Sequence, residues 1–489
     1  MRKKISILGS GFSSLSASCY LAKAGYDVTI YEKNESIGGR ARQFHHEGFT
    51  FDMGPTWYWM PDVFDRFFND FNKKTSDYYQ LLKLDPGYQV YFGANDSVTI
   101  SGDLEKIYTL FETEEKGSSI QLKQFLKEAE NNYNLAVKDL VYRPGVSPLE
   151  LITPKTITKL SQLFYSIRKR VKKQFSNPRL SKILEFPVLF LGAKPSDTPA
   201  MYNFMNWADF GLGTWHPVGG MFEVVKGIKY LATELGVKLI SNAEVQKIEV
   251  NQKGVATKLI VNGKDVPTDI VLSGADYYHT ERLLPLKSRQ YTDKYWQSRK
   301  FAPSSLLFYV GFDKKIENIS HHTLFFDTEF DAHAEYIYDT PDWPKDPLFY
   351  ASFPSKTDNT FAPIGKEAAT FLIPIAIGLT DNEKIRDEYF DILITRLENL
   401  TGQKLKDSIL FSKSYCVKDF VKDYNSYGGN AYGLANTLKQ TAFLRPKIKS
   451  KKVENLFFTG QLTVPGPGVP PALISGKIAA ESILKHFGS

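Results

Sequence analysis

The first forty residues alternate short apolar runs with turns of small residues. Residues 5–8 form an apolar run typical of a buried strand, and residues 15–24 carry apolar and small side chains at helical spacing. Gly25 ends this helix, and residues 28–31 form a second apolar run. The pattern predicts two parallel strands joined by a helix, which is the starting unit of a doubly wound α/β domain.

Helical and alternating patterns succeed one another through the rest of the chain. Apolar side chains at three- and four-residue steps predict amphipathic helices, and alternation predicts strands. Residues 88–100 alternate on both sides of the turn residues 93–96 and predict a hairpin. Further helices are predicted over 61–71, 104–114, 120–140 and 224–235, and strands over 237–240, 245–250, 306–310, 371–375 and 456–458, with another strand beginning at 270.

The α/β pattern is interrupted twice, which predicts a discontinuous domain. At 489 residues the chain is too long for one hydrophobic core. Residues 1–80, 220–288 and 446–489 carry the α/β pattern, and we expect them to form one domain. Residues 81–219 and 289–445 are expected to form an α+β domain with a mixed or antiparallel sheet, because its aromatic and aliphatic segments alternate.

The first turn has the glycine spacing of a dinucleotide-binding motif. Gly9 allows a sharp turn, Gly11 allows the backbone to approach a pyrophosphate, and the following helix offers unpaired N–H groups to that anion. Ser14 replaces the third glycine but is small enough for close packing of helix on strand. Glu32 stands where an acid holds the ribose hydroxyls and repels a 2′-phosphate. The predicted contacts of this turn are Gly9, Gly11, Phe12, Ser13, Ser14 and Glu32.

A second glycine pair strengthens the prediction. Gly38-Gly39-Arg40 follows the acid, and the stretch Asp52-Met53-Gly54-Pro55-Thr56 comes shortly afterwards. With these segments the chain resembles the GR2-type flavoproteins, the group that includes amine oxidases and carotenoid desaturases. The resemblance implies a Rossmann-like domain that binds FAD. It further implies that the cofactor contacts include Lys33, Gly39, Arg40, Gly54, Pro55, Thr56 and, at the adenine end, Val245.

The carboxy-terminal segment carries a second signature. A strand ends at Gly460, a turn rich in glycine and proline follows, and a helix is predicted over 472–486. N–H groups at the start of such a helix would stabilise the negative charge of a reduced flavin. The pattern F-x-G-x-x-T-x-P-G-x-G-x-P resembles the closing motif of bacterial phytoene desaturases and related carotenoid desaturases and isomerases. The segments 215–221 and 430–446 also resemble that family, and the implied cofactor contacts are Gly460, Gly468, Val469 and Pro470.

The resemblance implies an FAD-dependent enzyme that introduces carbon–carbon double bonds into a long isoprenoid by hydride transfer to the flavin. The substrate stays open between phytoene, an acyclic hydroxylated carotenoid and a monocyclic carotenoid desaturated at C3–C4 of its free end. The electron acceptor stays open between a quinone and oxygen. Because a cation delocalised over a polyene is strongly acidic, a weak base suffices, and the sequence singles out no catalytic side chain. The alternatives are a carotenoid isomerase, a flavin amine oxidase, or a non-catalytic isoprenoid-binding protein.

A basic stretch accounts for the net charge of +7. Nine Lys and Arg residues lie between 155 and 182 with no Asp or Glu among them, and apolar residues recur there at helical spacing. We predict one amphipathic helix from 153 to 175 that ends before Pro178. Residues 153–192 are therefore expected to contact a membrane surface that carries anionic lipid. The alternative is a helix that packs on the core, whereas nucleic acid is not expected as a partner because the charges share this helix with an apolar stripe.

Several other classes are not expected. No run of 18 apolar residues occurs, so no transmembrane helix is expected. The apolar start resembles a secretory signal, but it completes the nucleotide-binding unit. Cys19 and Cys416 provide neither a disulfide framework nor a metal cage, which fits a cytoplasmic protein attached peripherally to the inner face of the membrane. His321, His322 and His333 have no carboxylate at ligand spacing, so we expect loop histidines and no metal.

Overall fold

The computed structural model describes residues 2–151, 162, 165–437 and 440–488. Two sheets organise this part of the chain, one entirely parallel and one mixed. The strands in chain order are β1 (Lys4–Leu8), β2 (Asp27–Tyr31), β3 (Gln43–His46), β4 (Phe49–Asp52), β5 (Leu81–Lys83), β6 (Tyr88–Gly93), β7 (Asp96–Ile100), β8 (Trp215–Pro217), β9 (Lys238–Ile240), β10 (Val245–Val250), β11 (Ala256–Val261), β12 (Lys264–Pro267), β13 (Ile270–Ser273), β14 (Ser304–Phe312), β15 (His322–Phe325), β16 (Phe349–Ser352), β17 (Glu367–Ile375), β18 (Ile409–Tyr415) and β19 (Leu456–Phe458).

The helices pack on both sheets and connect them. A short 3₁₀ helix, Phe186–Leu191, and a π-helical turn, Trp207–Gly211, lie between regular helices. The α-helices in chain order are α1 (Phe12–Lys23), α2 (Pro61–Asn69), α3 (Leu104–Glu114), α4 (Ser118–Ala136), α5 (Ile167–Gln174), α6 (Pro178–Glu185), α7 (Phe204–Asn206), α8 (Met221–Glu234), α9 (Tyr277–Arg282), α10 (Asp293–Gln297), α11 (Phe330–Tyr338), α12 (Glu383–Thr401), α13 (Val417–Tyr424) and α14 (Val469–Phe487).

The parallel sheet has the strand order β19-β13-β1-β2-β9. Its central strand β1 pairs with both β2 and β13, so that Ile7 lies opposite Ile30 and Leu272. These apolar strands are buried on both faces. Helices α1, α8 and α14 cover the face that carries Ile7, and β10 and β11 pack on the face that carries Leu8. The sheet brings together strands from residues 4–31, 238–273 and 456–458, which confirms the predicted Rossmann-like α/β fold.

The mixed sheet has the strand order β18-β14-β17-β16-β15-β6-β7. All of its pairs are antiparallel except β15 with β6. Every residue of β14 is buried, and helix α12 packs on one face through Leu393 and Leu397. The hairpin β6–β7 joins strands that lie more than two hundred residues later in the chain. The mixed sheet of the second region is therefore confirmed, whereas the exact domain boundaries stay a prediction.

The basic stretch departs from the predicted single helix. Its predicted start at Thr153 lies outside the described residues. Ser166 is extended and caps α5, because its side chain accepts a hydrogen bond from the backbone N–H of Lys169. Pro178, expected to stop the helix, occupies the first turn of α6. The described part of the stretch therefore forms two short helices with a break at 175–177.

Two basic side chains of this stretch form ion pairs with acidic residues. Arg168 contacts Glu185 at 3.1 Å and Asp331 at 2.7 Å, and Arg170 contacts Glu128 at 2.7 Å. The window 155–182 contains no acid, and the partners of these two charges come from outside it. Ile167 and Val171, which form the apolar stripe of α5, are fully buried in the core. Within the described ranges, no helix is both long and apolar enough to cross a membrane.

Candidate cofactor and substrate cavity

A cavity of about 510 Å³ lies between the carboxyl ends of the parallel strands and the mixed sheet. This volume falls within the range of about 300–1,000 Å³ that is typical of ligand sites in proteins. Every predicted cofactor contact except Ser14 lines it. Those residues are Gly9, Gly11, Phe12, Ser13, Glu32, Lys33, Gly39, Arg40, Gly54, Pro55, Thr56, Val245, Gly460, Gly468, Val469 and Pro470.

The turn after β1 leaves backbone donors open toward the cavity. Gly9 has a φ of +80°, a conformation that favours glycine, and its N–H donates to Tyr31 O at 2.8 Å. Gly11 precedes the first helical residue, and a Cβ added there would meet no protein atom within 4 Å. The first N–H groups of a helix lack partners within the helix and attract anions. The turn therefore forms a cradle suited to a phosphate group.

Ser14 lies outside the cavity and packs against the parallel sheet instead. It is fully buried, and a Cβ added to Gly274 would lie only 2.0 Å from Ser14 Oγ. The predicted packing role of a small residue at this position therefore agrees with the geometry, although the residue lines no part of the cavity.

Glu32 stands at the end of β2 with only 4% of its surface exposed. One carboxylate oxygen accepts hydrogen bonds from Ser10 N at 2.9 Å and Ser10 Oγ at 2.7 Å, and the other accepts from Asn34 N at 2.9 Å. These bonds fix the carboxylate beside the glycine turn. A carboxylate has about four acceptor sites, so the oxygen that accepts from Asn34 N keeps one site for a hydroxyl that enters the cavity.

The Gly38-Gly39-Arg40 segment places a half-buried cation at the cavity wall. Arg40 Nη2 donates to Asn430 O at 3.0 Å, and the guanidinium lies 4.9 Å from the centre of the Tyr424 ring. Among the described residues Arg40 Nε has no hydrogen-bond partner, although it is buried. Burial lowers the pKa of Arg40. A buried donor without a partner is costly, which indicates that this segment is built to meet an acceptor-rich ligand.

The two chain ends meet at the cavity. A Cβ added to Gly460 would lie 3.2 Å from Ser13 Oγ, and one added to Gly476 would lie 2.4 Å from Ser13 O. Helix α14 begins at Val469, earlier than the predicted residue 472. Since Pro470 and Pro471 carry no N–H, the first turn offers the N–H of Val469 and the helix dipole rather than several donors.

At the predicted adenine end, apolar and polar side chains both line the cavity. Val245 lines the cavity with Ala243 and His279, and burial lowers the pKa of His279. Lys33 also lines the cavity, but its Nζ donates to Lys422 O at 2.7 Å and Asn425 Oδ1 at 3.2 Å. The ammonium group of Lys33 is therefore held by helix α13, so its backbone and alkyl chain are the parts that remain for a ligand.

Beyond the glycine turns, the cavity wall is apolar and aromatic. Trp57 stacks on His322 with ring centres 4.0 Å apart and lies 5.7 Å from the Phe186 ring. The sequence analysis named neither Trp57 nor Phe186, because the two come from separate segments. The adjacent pair His321-His322 was the sequence feature that pointed to this wall. Further apolar residues on this wall are Leu189, Leu307, Leu324, Phe326, Phe330, Leu348, Phe349 and Leu372.

The expectation of loop histidines is wrong, because these residues lie in or beside regular elements. His322 begins β15, His321 precedes it, and His333 lies in α11, all buried. Leu348 N donates to His333 Nδ1 at 2.8 Å, so Nε2 carries the hydrogen and donates to Pro374 O at 2.7 Å. Burial lowers the pKa of His333 to about 4. The described residues contain no group of three potential metal ligands.

Comparison with known proteins decides the family. The sequence matches the flavin-containing amine oxidoreductase family over residues 12–484. It is 42% identical to a carotenoid 3,4-desaturase of Haloarcula japonica over 487 aligned residues. The alignment covers 99% of this chain and 98% of that protein. The chain belongs to the carotenoid desaturases. The present chain is also 32% identical to a 4,4′-diapophytoene desaturase of Staphylococcus haemolyticus, and that alignment covers 99% of both chains. It is 30% identical to a zeta-carotene-forming phytoene desaturase of Myxococcus xanthus, over 99% of this chain and 94% of that protein.

Solved structures agree with the fold of the desaturase. An oxidoreductase from Methanosarcina mazei has a TM-score of 0.63 at 17% identity, covering 98% of this chain and 100% of that one. A putrescine oxidase has a TM-score of 0.60 at 14% identity, covering 99% of both chains. At such low identity the likeness concerns the fold alone, namely a parallel sheet joined to a mixed sheet.

The cofactor of the desaturase is FAD, as the family implies. The residues present fit this group. The open cradle at Gly11 suits the pyrophosphate, the buried carboxylate of Glu32 suits ribose hydroxyls, and Arg40 Nε offers a free buried donor. These three features lie on the wall of the same cavity as the aromatic residues, which brings a redox cofactor and an apolar ligand into one space.

Proposed function

We propose that this protein is an FAD-dependent carotenoid desaturase that introduces a double bond at C3–C4 of a carotenoid with an acyclic end. The observation that carries the proposal is the single cavity, because it joins a dinucleotide cradle at Gly11 to an aromatic wall at Trp57. Support for the position of the new bond comes from the Haloarcula japonica relative, whose name specifies 3,4-desaturation. The other relatives are named for desaturation of 4,4′-diapophytoene and of phytoene.

The proposed contribution of the chain is to bind and align. FAD supplies an acceptor for a hydride from the carbon next to the polyene. The cradle residues hold the dinucleotide, and the apolar wall holds the polyene in register so that one bond at a time is presented. That wall also excludes water, which would otherwise capture a polyene cation.

We also propose that all seventeen cofactor contacts predicted from the sequence act on FAD, with Ser14 acting through packing alone. Glu32→Ala tests the ribose contact. We expect weaker retention of FAD, measured as the ratio of flavin to protein absorbance after gel filtration. A variant that stays fully yellow would contradict the assignment. The discontinuous domain of residues 1–80, 220–288 and 446–489 follows the same proposal, because its parts contribute every strand of the parallel sheet.

Product analysis tests the function directly. The holoenzyme is incubated with defined carotenes under three conditions: with a quinone, with oxygen, and with neither. Desaturated products with longer absorption wavelengths support the proposal, and the acceptor that restores turnover identifies the oxidant. Conversion of only cis to trans isomers would indicate an isomerase. Oxidation of polyamines instead of carotenes would indicate an amine oxidase, and bound carotene without any product would indicate a binding protein.

Membrane association is a separate proposal. Lys169, Lys172 and Lys173 are exposed on α5, on the side away from the buried Ile167 and Val171. Three cations on one surface attract anionic lipid, which fits an enzyme that takes a water-insoluble substrate at the inner face of the cytoplasmic membrane. Replacing all three lysines by glutamine is expected to release the protein from anionic liposomes in a flotation assay. Unchanged flotation would contradict this contact surface.

A further inference from the structure

Four side chains form a buried column behind the apolar wall of the cavity. Tyr350 lines the cavity and its Oη lies 2.6 Å from His322 Nδ1. The ring centre of His322 lies 4.4 Å from that of His321, which lies 4.7 Å from that of His216. The three histidines are each at most 3% exposed. The column therefore leads from the cavity wall past β15 to His216 on β8.

The pairing of β15 with β16 brings the first two members together. Tyr350 lies opposite Leu324 and thus diagonal to His322 on the same face of the sheet. Tyr350 Oη also lies 2.8 Å from Thr56 Oγ1. Thr56 is one of the residues expected to contact FAD. Tyr350 therefore stands between the cofactor side of the cavity and a buried imidazole.

The contacts of His322 leave one of its two ring nitrogens without a hydrogen-bond partner among the described residues. Its ring stacks on Trp57 at an interplanar angle of 11°, and Nδ1 faces Tyr350. Its Nε2 is buried and has no hydrogen-bond partner among the described residues. Burial, assisted by the nearby His216, lowers the pKa of His322 well below its usual value. The ring is therefore neutral at neutral pH, and its Nδ1 lies in place to accept from Tyr350 Oη. Although burial makes this imidazole a weak base, a weak base suffices for the strongly acidic cation of a polyene.

The far end of the column reaches the surface. His321 Nδ1 lies 2.6 Å from the Oγ1 of Thr357, an exposed residue. His216 Nε2 lies 2.9 Å from Asp358 Oδ2, and hydrogen bonds to that carboxylate hold the pKa of Asp358 below its usual range.

We propose that Tyr350 is a catalytic residue that removes the proton during desaturation, and that His322 is the positioning residue that receives it. The inference rests on the proposed function, in which bound FAD would supply the acceptor for the hydride. The carbon next to the resulting cation then loses its proton. The C–H bond breaks, its electron pair forms the new double bond, Tyr350 Oη takes the proton, and the hydroxyl proton of Tyr350 passes to His322 Nδ1. The products are a neutral polyene and a protonated His322.

Other polar groups on the cavity wall are less suited to this task. Both nitrogens of His333 are bonded to the backbone, at Leu348 N and Pro374 O. Asp276 lies near the Arg40 cation, which opposes the effect of burial on the pKa of its carboxyl. Tyr350 combines a place on the wall with a buried neutral imidazole behind it.

The test compares Tyr350→Phe and His322→Gln with the wild-type holoenzyme. General-base catalysis contributes typically about 100-fold or more, so kcat of Tyr350→Phe is expected to fall about 100-fold with KM unchanged. His322→Gln is expected to lose about tenfold, because the phenol then lacks a basic partner. A carotene deuterated at the proton-losing carbon should show a larger isotope effect on kcat in both variants, since proton loss then limits turnover.

Readouts other than turnover separate this role from a structural one. FAD content, melting temperature and carotene affinity, measured by quenching of tryptophan fluorescence, should stay at wild-type values in Tyr350→Phe. The matched control is Tyr91→Phe, because Tyr91 is a buried tyrosine of the same sheet whose hydroxyl donates to Asn318 O outside the cavity. It is expected to keep the wild-type kcat and isotope effect.

Distinct outcomes would overturn the two proposals. A wild-type holoenzyme that leaves every carotene unchanged rejects the proposed desaturase and this inference with it. An active wild type with a Tyr350→Phe variant within about threefold of it rejects the inference alone. A loss confined to KM or to carotene affinity also rejects it, because Tyr350 would then serve only as part of the wall.

Discussion

The two walls of the cavity are built in different ways. The dinucleotide wall consists mainly of backbone from short glycine turns, several of which follow strands of the parallel sheet. The apolar wall consists of side chains from segments as far apart as Trp57, Phe186 and Tyr350. A backbone cradle requires particular residues at fixed local spacing, whereas an apolar wall requires only that large side chains meet. The first wall is therefore readable as a motif, and the second is not.

The largest expected effect comes from breaking the contact that holds the two chain ends together. A Cβ at Gly476 would lie 2.4 Å from Ser13 O and 2.9 Å from Ala17 N, which are backbone atoms that cannot move aside. We expect Gly476→Val to lower the free energy of unfolding by about 3 kcal/mol, at the upper end for overpacking, and to abolish FAD binding. Urea denaturation measures this loss. Lys485→Val, at an exposed site of α14, is the control, and equal stabilities of the two variants would contradict the helix contact.

The next effect separates cofactor binding from folding. A Cβ at Gly11 meets no protein atom, so Gly11→Ala should leave the melting temperature of the FAD-free protein nearly unchanged. It should raise the dissociation constant of FAD about 100-fold, because a charge-assisted hydrogen bond of about 1.5–3 kcal/mol is lost at the cradle. Titration with FAD measures it. Gly93→Ala, at an ordinary φ in the β6–β7 hairpin, should retain wild-type affinity; if Gly11→Ala does so too, the cradle is misplaced.

A smaller effect concerns the apolar wall. Ala334 lies on α11 and lines the cavity, whereas Ala332 on the same helix is exposed. Ala334→Phe should fill part of the space and weaken carotene binding about tenfold, equivalent to about 1.4 kcal/mol, with FAD affinity unchanged. Ala332→Phe should change neither affinity. A carotene affinity that is insensitive to Ala334→Phe would show that the polyene lies elsewhere.

The smallest effect concerns the basic helix. Arg168 is paired with Glu185 and Asp331, whereas Lys169 is exposed. Arg168→Gln should lower the free energy of unfolding by about 1 kcal/mol, as for a partly exposed ion pair, while Lys169→Gln should leave it unchanged. Thermal or urea denaturation distinguishes the two variants. A larger loss of stability in Lys169→Gln than in Arg168→Gln would contradict a stabilising role for the two ion pairs of Arg168.

Much of the fold follows from local patterns. The helix over 104–114 and the strand over 245–250 have the predicted bounds, because periodic apolar side chains and clear end signals define both. The basic stretch differs because a window of sequence shows only its own residues. Asp331, the partner of Arg168, lies on α11, far along the chain. Similarly, His322 was read as a loop residue because its four-residue strand is too short for a period-two pattern to stand out.

The sequence by itself determined the family, the cofactor and the turns that face it, since glycine and acid spacing within one βαβ unit is fixed by the geometry of strand, turn and helix. The tertiary structure alone decided which charges are paired, where the apolar wall lies and that Tyr350 contacts His322. Those contacts depend on strand pairing between distant segments, which the order of residues along the chain leaves open.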